Sequence, residues 1–481
     1  MNTTHGEPGR SARTTIPSQV SVVNVGLPVF GEALRAQQAR TVDVAWRIPA
    51  GGDDALVAAL TQLYGPAASI VEEANREAVR RLDEAAPVLA AVRPAGSVVP
   101  GLGERTVLHP GPPLGWDEFC DPLRRSLRAT VLAEGWADSP RDADRLVERG
   151  EVELAPANDH AAALPMATTL GPSAPVLVVH NELGGNTAYT PLNQGPGRSP
   201  WLGVDDRQAV AHLRWLRDVA GPLLDQALRN AEPVELFIIA AQGVQMGDDI
   251  HMRLQASTNL LIRNLLTHLT ALDDARRTEL ARFLSSNYLF FLNLAIAAAK
   301  ATTDWAAQVP DATIVTGMAR NGTTFGIRLG ATGERWFVAP APPVEDALYR
   351  SDFGPGDAAL DIGDSAVIEL VGLGGAAAAA SPAVAGFVGG RMSDAVERTR
   401  AVGRVCVARS SRFKIPQLDF TGTPLGLDVR KVVELEIVPS ITTGILDVAG
   451  GRGQVGAGLA RAPLECFQQA LLAVSKQISR R

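Results

Sequence analysis

An apolar run from Tyr288 to Ala299, followed directly by Lys300, constrains this chain more than any other segment. The run is too short to cross a bilayer and is interrupted by Asn293, so we predict a helix buried inside a globular protein. With about 3.6 residues per turn, Asn293, Lys300 and Asp304 share one face of that helix. A buried ammonium or amide group without a partner carries a large desolvation cost. Lys300 therefore either pairs with Asp304 in a structural role or binds a substrate, and both readings remain open.

The composition indicates a globular protein with several domains. The chain has 481 residues, of which 46% are hydrophobic and 20% charged, and its formal net charge is −7. Such a length corresponds to about two to four domains. A nucleic-acid partner would need a basic surface, which an acidic chain with few aromatic residues does not favour. We therefore expect no nucleic-acid partner, and no membrane span.

The three cysteines and the N-terminal residues 1–19 indicate the cellular compartment and whether a metal site is expected. Cys120, Cys406 and Cys466 lie far apart, and no Cys or His spacing is typical of a metal site. Few, unpaired cysteines fit a reducing cytoplasm. The polar residues 1–19 lack an apolar core, so we expect a disordered tail and not a signal peptide. We expect no metal and no cofactor.

The order of strand-like and helix-like segments predicts a multi-lobed α/β fold. Val20–Val25, a helix reaching about Gln38, and Thr41–Trp46 form a Rossmann-like β-α-β opening with parallel strands. Further on, Val234–Ala241 has the pattern of a strand. The predicted domains are a disordered tail at 1–19, an N-terminal α/β domain at 20–150, the first part of an α/β body at 151–247, a helical insertion at 248–308, and the second part of the body at 309–481.

A cluster of polar residues near the predicted insertion suggests a pocket. Asp248 is placed to cap a helix, and Asp249 could pair with Arg253 one turn later. Capping and a solvated ion pair would explain both aspartates without any function. His251 and Arg253 could instead face a cleft. Asp248, Gln255 and Asn259 share a stripe with Met252, and that polar stripe on a partly buried helix suggests a pocket.

Glycine-rich turns are the second kind of candidate site. The C-terminal run Gly450–Gly458 contains a GxGxxG match, but no strand can follow it, so we reject a dinucleotide site. A glycine-rich loop leading into a helix at 456–476 would still offer N–H groups to an anion, although glycines also permit close packing. Arg320 precedes an Asn-Gly hairpin turn and could reach a carboxylate bidentately. Gly363-Asp364-Ser365 with Gly372-Leu373-Gly374-Gly375 is a third glycine-rich turn, of the form that holds an oxyanion or phosphate. The candidate anion-binding residues in the three turns are Gly372, Gly374, Gly375, Gly453, Gln454, Gly456 and Asn321.

Several long motifs carry a resemblance to a known family. In order along the chain they read NVGLPVFGEALRAQ, VDVAWRIPAGGD, MGDDIHMRLQAST, NYLFFLNLAIAAAKA, TGMARNGTTFGIRL, DIGDSAVIELVGLGG, PSITTGI and GQVGAGLARAPLECF. From Val20 to the C-terminus the chain resembles the AllG-like (YlbE/YahG-like) proteins. The resemblance implies a subunit of an oxamate carbamoyltransferase-type enzyme with FdrA-like and AllH-like partners. That reaction exchanges a carbamoyl group between oxalurate and phosphate, giving oxamate and carbamoyl phosphate.

The resemblance supplies no established catalytic residues, so the roles are our own hypothesis. His251 or Asp249 would move protons, Lys300 and Arg320 would neutralise the anion, and Asn293 would orient the amide. Two alternatives remain open: a non-catalytic scaffold of an FdrA-like complex, and an amide hydrolase acting on a ureido compound. We also allow for a homodimer. Further candidate substrate-binding residues are Arg253, Asn259, Thr442 and Thr443.

Overall fold

The computed structural model describes residues 20–44, 46–229, 231–387 and 390–480, so the tail expected at 1–19 lies outside the described residues. The chain divides into two compact units, with the boundary after Gly52. In the first unit, strand β1 (Ser21–Val25), helix α1 (Pro28–Ala36) and strand β2 (Arg40–Val44) follow one another. The two strands are parallel, with Ser21 opposite Arg40. The predicted β-α-β opening is therefore confirmed.

The second unit, Asp53–Arg481, contains the remaining helices and strands. Its helices are α2 (Asp54–Tyr64), α3 (Ala68–Glu84), α4 (Ala95–Val98), α5 (Asp121–Glu134), α6 (Pro140–Glu148), α7 (Arg207–Trp215), α8 (Gly221–Arg229), α9 (Leu236–Gln245), α10 (Gln255–Thr270), α11 (Arg277–Ser286), α12 (Phe290–Ala307), α13 (Pro382–Phe387), α14 (Met392–Val405), α15 (Val429–Leu435) and α16 (Leu464–Ile478).

Its strands form several small sheets. They are β3 (Pro87–Pro94), β4 (Thr106–His109), β5 (Glu153–Pro156), β6 (Pro175–Asn181), β7 (Asn186–Pro191), β8 (Val234–Glu235), β9 (Val315–Asn321), β10 (Thr324–Leu329), β11 (Phe337–Pro340), β12 (Val344–Tyr349), β13 (Ile362–Gly363), β14 (Cys406–Ile415), β15 (Thr421–Leu427), β16 (Ser440–Leu446) and β17 (Gln454–Arg461). The sheet orders are β7-β6-β3-β8, β11-β10-β9-β13, β12-β17-β16, β14-β15 and β4-β5. The predicted mixed α/β fold is confirmed.

Helix α12 lies at the centre of the second unit. Every residue from Phe290 to Thr303 is buried. The helix packs against β6, β7, α3 and the short 3-10 helix Asp364–Val371. A helix that is buried on all sides is expected to be apolar all round, and the many alanines let neighbouring backbones come close. The buried helix predicted from the apolar run is confirmed.

Two local predictions were wrong. The strand expected at Val234–Ala241 ends at Glu235, and α9 begins at Leu236. A short apolar run does not separate a strand from a buried helix by its periodicity alone. The glycine-rich run at the C-terminus leads into strand β17 and not into a helix, since α16 begins only at Leu464. A Cβ at Gly458 would lie 2.6 Å from the carbonyl oxygen of Glu345 on the paired strand β12. The glycine there serves close packing of strands.

The segment predicted as a helical insertion carries α10, α11 and α12. The domain boundaries at residues 150, 247 and 308 stay predictions. Among the described helices, no single one has the length and apolar character to span a membrane, and only the pair α11 and α12, bent by 79°, reaches that length and composition together.

Candidate functional site

A cavity of about 290 Å³ opens in the second unit. It lies between the loop before α10, the start of α12, the 3-10 helix at Asp364–Val371 and the hairpin of β16 and β17. A mostly apolar wall with a few convergent polar groups is typical of a small-molecule site. The apolar part of the wall includes Met166, Trp201, Leu202, Met252, Tyr288, Leu289 and Leu292. The polar groups at the cavity are His251, Arg253, Ser365, Thr443 and Gln454.

Asp249 shapes the loop that carries two of these groups. Its Oδ1 accepts hydrogen bonds from the backbone N–H groups of His251, Met252 and Arg253, at 3.1, 2.9 and 2.8 Å. Its carbonyl oxygen accepts from the N–H of Gly374 at 2.7 Å. Burial raises the pKa of Asp249. The carboxyl group is thus used inside the protein, and Asp249 does not line the cavity.

Arg253 brings a partly engaged cation to the cavity. The pair expected between Arg253 and Asp249 was wrong, because α10 begins only at Gln255 and the two residues do not lie on one helix. Instead Nη1 of Arg253 donates to Oδ1 of Asp248 at 2.6 Å. Among the described residues, its Nε and Nη2 make no hydrogen bond, and the side chain is 33% exposed. One edge of the guanidinium is therefore available to an anion.

His251 and Glu369 form a buried pair at the cavity. Nδ1 of His251 lies 3.1 Å from Oε1 of Glu369, and each side chain is 4% exposed. Burial lowers the pKa of His251 to about 4. Burial also raises the pKa of Glu369 to about 8. Near pH 7 the pair therefore holds a neutral imidazole and a protonated carboxyl group.

The glycines at 372–375 surround this carboxyl group and do not form an open cradle. The N–H of Gly374 is used by Asp249, and the N–H of Gly372 donates to the carbonyl oxygen of Glu369 at 3.3 Å. Gly374 has φ of +62°, and a Cβ there would overlap Oε1 of Glu369. The N–H of Ala376 donates to Oε2 of Glu369 at 3.3 Å. The N–H groups of Gly372 and Gly374, predicted from the sequence to bind an anion, thus donate to backbone carbonyl oxygens of the protein itself.

Arg320 lies next to the cavity but is saturated by the protein. It is fully buried, and its Nε and Nη2 donate to the two carboxylate oxygens of Asp361 at 2.7 and 2.8 Å. Its Nη1 donates to the carbonyl oxygen of Gly363 at 2.6 Å and to Oγ of Ser365 at 3.2 Å. The hydroxyl of Thr443 donates to Asp361 at 3.0 Å. The bidentate carboxylate partner of Arg320 is therefore Asp361, and this pair orients Ser365 and Thr443 at the cavity.

Lys300 and Asn293 make their hydrogen bonds away from the cavity wall. Nζ of Lys300 donates to Oδ1 of Asp304 at 2.5 Å and to the carbonyl oxygen of Asn158 at 3.3 Å. Asn293 donates to the carbonyl oxygen of Pro191 and accepts from Asn193, both at 2.8 Å. Neither residue lines the cavity. Their substrate roles stay predictions.

The other candidates have varied surroundings. Asn321 is the last residue of β9. Its side-chain N–H donates to the carbonyl oxygen of Pro112, and its side-chain oxygen accepts from the N–H of Thr324 at the start of β10. The antiparallel pairing of β9 and β10 confirms the predicted hairpin. Asn259 is exposed on α10, and Thr442 lies 3.5 Å from Oδ2 of Asp249. Four predicted residues line the cavity together, namely His251, Arg253, Thr443 and Gln454. The predicted residues that do not line it are Asp249, Asn259, Asn293, Lys300, Arg320, Asn321, Gly372, Gly374, Gly375, Thr442, Gly453 and Gly456.

Comparison with known proteins decides the family. A family model described as oxamate carbamoyltransferase subunit AllG matches residues 152–365. A protein of Escherichia coli (strain K12) named oxamate carbamoyltransferase subunit AllG is 41% identical over 413 residues, which cover 85% of this chain and 98% of that protein. This chain belongs to the AllG family. The resemblance seen in the motifs is thereby confirmed.

Two further relatives extend the similarity of this AllG-family chain. The uncharacterized protein YahG of Escherichia coli (strain K12) is 33% identical over 456 residues, which cover 94% of this chain and 96% of YahG. A crystal structure of a conserved protein of unknown function from Enterococcus faecalis V583 has a TM-score of 0.83 and 36% identity. The match covers 85% of this chain and 98% of the chain in that crystal structure. The fold of the AllG-family chain is thus also present in an experimental structure.

The sequence prediction missed Glu369 and Asp361 in this AllG-family chain. Glu369 is the one charged residue in the apolar run AVIELV, so the reasoning applied to Lys300 would have singled it out. Asp364, in the same segment, accepts from the N–H groups of Gly111 and Leu164 at 2.8 Å each, and burial raises its pKa to about 7. In the described part of the chain, no group of three or more His, Cys, Asp or Glu is arranged to hold a metal ion.

Proposed function

We propose that this chain is a subunit of an oxamate carbamoyltransferase-type enzyme. The similarity that covers 98% of a relative carrying that name supports the proposal. In the reaction, a carbamoyl group moves between oxalurate and phosphate, with oxamate and carbamoyl phosphate as the other pair. FdrA-like and AllH-like proteins are the proposed partners. The three cysteines are free, which fits a reducing compartment, so we place the complex in the cytoplasm.

The main observation behind the proposal is that the guanidinium of Arg253 donates through Nη1 alone among the described residues. Arg253 lines a largely apolar cavity, and its Nε and Nη2 make no hydrogen bond among the described residues, so a carboxylate or phosphate can accept two hydrogen bonds in the geometry that arginine favours. The hydroxyl groups of Ser365 and Thr443 and the amide of Gln454 lie at the same cavity. These neutral groups match the C=O and N–H groups of an amide or ureido compound. We therefore assign the cavity to the small anion that gives or receives the carbamoyl group.

Carbamoyl transfer also demands a proton donor. When a phosphate oxygen attacks the ureido carbon of oxalurate, a C–O bond forms and the bond from that carbon to the oxamate nitrogen breaks. The departing nitrogen must take up a proton, because an amide anion is a poor leaving group. His251 lines the cavity, and its Nε2 makes no hydrogen bond with the described residues. We assign His251 as the group that passes this proton.

The test is an assay of the assembled complex. We expect oxalurate and phosphate to give carbamoyl phosphate and oxamate only when this chain and both partners are present. Omitting phosphate separates transfer from hydrolysis, since an amide hydrolase would consume oxalurate without it. Activity that persists in full when this chain is omitted would show that the chain is not a required subunit.

A second arm separates a catalytic subunit from a scaffold. Complexes with cavity-blocking Thr443→Phe are compared with complexes carrying Thr267→Phe, a change on α10 at a residue that does not line the cavity. We expect both complexes to assemble and only the first to lose activity. Equal activity of the two complexes would indicate a scaffold.

A further inference from the structure

Glu369 contacts His251 at Nδ1, and not at Nε2, the nitrogen assigned to proton transfer in the cavity. Its Oε1 lies 3.1 Å from Nδ1, whereas Nε2 makes no hydrogen bond with the described residues and the imidazole lines the cavity. A histidine that acts through one ring nitrogen is commonly held by a partner at the other, because this partner fixes the tautomer. Glu369 is such a partner, on an element 118 residues away in the chain.

Among the described residues, no lysine or arginine forms an ion pair with Glu369. The buried guanidinium of Arg320, the nearest candidate, gives two of its hydrogen bonds to Asp361. Oε2 of Glu369 accepts from the backbone N–H of Ala376 at 3.3 Å, and the backbone of Gly375 also hydrogen-bonds the carboxyl group. An unpaired, buried carboxylate is costly, so the carboxyl group keeps its proton near pH 7. Its O–H then donates to Nδ1 of His251, which leaves the ring proton on Nε2.

Fixed charges surround the pair on each side. Arg320 on β9 favours ionised Glu369 and disfavours protonated His251, while Asp361, just before β13, acts in the opposite sense on both groups. Asp249, on the loop of His251, also favours protonated His251. These charges do not outweigh burial, which lowers the pKa of His251 to about 4. An imidazolium is therefore scarce near pH 7, and His251 needs another source for the proton that it passes on.

We propose that Glu369 and His251 form a two-step proton relay for the carbamoyl transfer, in which Glu369 positions the imidazole and supplies the second proton. The proposal rests on the proposed function. As the C–N bond of oxalurate breaks, the proton on Nε2 moves to the departing oxamate nitrogen. The proton of Glu369 moves to Nδ1 at the same time. The imidazole stays neutral and Glu369 becomes a carboxylate, so the pair has lost one proton. The attacking hydrogen phosphate loses one proton as its oxygen bonds to the carbamoyl carbon, and that proton restores the pair for the next turnover. In the reverse direction the oxamate amide returns a proton to Nε2.

Histidine NMR tests the relay without any activity. In full-length protein labelled with ¹⁵N-histidine, His251 is assigned from the signals lost in His251→Asn. We expect a neutral ring protonated on Nε2 near pH 6. As the pH rises through about 8 and Glu369 ionises, the proton should move to Nδ1, because the carboxylate then accepts from it. Glu369→Gln should abolish this change. A wild-type tautomer that stays constant to about pH 9.5, or the same change in Glu369→Gln, would overturn the proposal.

Kinetics of the assembled complex give the second test. We expect Glu369→Gln to lower kcat for oxalurate and phosphate by about 100-fold or more with little change in KM, since general acid catalysis contributes about 10²- to 10⁴-fold. The wild-type rate should fall above about pH 8, and the variant should lack that limb. Glu134→Gln is the matched control, because Glu134 is a half-buried glutamate that accepts the N–H of Ser173 and does not line the cavity. Its rate should equal that of the wild type.

The two tests separate failure of the relay from failure of the proposed function. A wild-type complex that transfers no carbamoyl group would refute the function, and the tautomer change could still occur. An active complex in which Glu369→Gln matches the wild type at every pH would refute the relay alone. Far-UV circular dichroism and urea unfolding of each variant confirm that the chain is folded before these comparisons are made.

Discussion

Two arginines show how burial separates structural residues from binding residues. Arg320 is fully buried and donates to Asp361, Gly363 and Ser365. Arg253 is 33% exposed and has one partner, Asp248, at a single nitrogen. A guanidinium has five N–H groups, so a residue with most of them unused can still recognise an anion. The geometry therefore favours Arg253 as the residue that contacts substrate.

We expect Arg253→Met to raise the KM for the anionic substrate by about 10- to 100-fold in the assembled complex. The change removes charged hydrogen bonds worth about 1.5 to 3 kcal/mol and leaves the stem of the side chain. The fold should survive, because Asp248 keeps hydrogen bonds from Ser257. Arg461→Met, at an exposed pair with Glu345, is the control. A KM that changes by less than about twofold would remove Arg253 from the binding site.

Lys300→Met tests the catalytic role that the sequence predicted. Because Nζ donates to Asp304 and to the carbonyl oxygen of Asn158, we expect the free energy of unfolding to fall by about 1 to 2 kcal/mol. We expect kcat of the complex to stay within about twofold of the wild type. Urea unfolding and steady-state kinetics measure the two effects. A large loss of kcat in a folded variant would instead support the predicted catalytic role.

At the scale of elements, one short segment organises the site. The 3-10 helix Asp364–Val371 and the turn after it carry Asp364, Ser365 and Glu369, and they pack against α12 and β9. Strand β13 places Gly363 opposite Arg320 in the sheet. A tight turn is needed to bring the backbone against the buried carboxyl group of Glu369, and only glycine leaves room for it there.

Two glycines with positive φ separate strain from crowding. Gly374 has φ of +62° and Gly135 has φ of +77°, but a Cβ at Gly135 would meet no atom of the described residues within 4 Å. Gly135 has the left-handed conformation, so we expect Gly135→Ala to cost about 1 kcal/mol of unfolding free energy from that conformation alone. Gly374→Ala should cost about 2 to 4 kcal/mol, because the new methyl group overlaps Glu369 as well. Equal losses in urea unfolding would mean that the turn relaxes and does not constrain Glu369.

At the scale of the whole molecule, the site draws on distant parts of the chain. Its lining residues run from Met166 to Gln454 in sequence, and α12 joins the sheets behind it. Several ionisable groups are thereby taken out of water. Burial raises the pKa of Asp364 to about 7 and of Glu369 to about 8, and it lowers the pKa of His109 and His251 to about 4 each. These four groups make the stability of the fold depend on pH.

We expect the free energy of unfolding to fall between about pH 6.5 and pH 8. A carboxyl group whose folded pKa is raised stabilises the fold below its unfolded pKa and loses that contribution as the pH rises through the folded pKa. A histidine with a lowered pKa stabilises above about pH 6.5 and loses its contribution as the pH falls toward about 4. The two effects oppose each other between about pH 4.5 and 6.5, so only the carboxyl contribution changes above that range.

Urea unfolding over this range checks the expectation. Each carboxyl group contributes a slope of at most about 1.4 kcal/mol per pH unit. The free energy of unfolding of Glu369→Gln should fall less steeply with pH than that of the wild type. The curve of Gly333→Ala should run parallel to the wild-type curve, because the new methyl group would touch no other described residue. Parallel curves for Glu369→Gln and the wild type would mean that Glu369 is ionised throughout.

Local patterns allowed part of the fold and part of the site to be predicted. The β-α-β opening, the hairpin at Asn321 and the burial of α12 depend on neighbours in sequence, and all three are confirmed. His251 and Arg253 reach the cavity because a single turn after Asp249 carries both. The sequence did not show that the C-terminal glycines belong to a strand, since their neighbours on β12 lie about a hundred residues earlier.

The sequence by itself determined the family, the mixed α/β class and the presence of buried polar groups at unusual places. Only the tertiary structure decided which groups those residues contact. Arg320 meets Asp361 across 41 residues, and His251 meets Glu369 across 118. Periodicity and turn chemistry encode burial and local conformation, because they act over a few residues. The choice among hydrogen-bond partners depends on how distant elements pack, so whether a buried cation or carboxyl group is saturated or left free for a ligand is settled by packing.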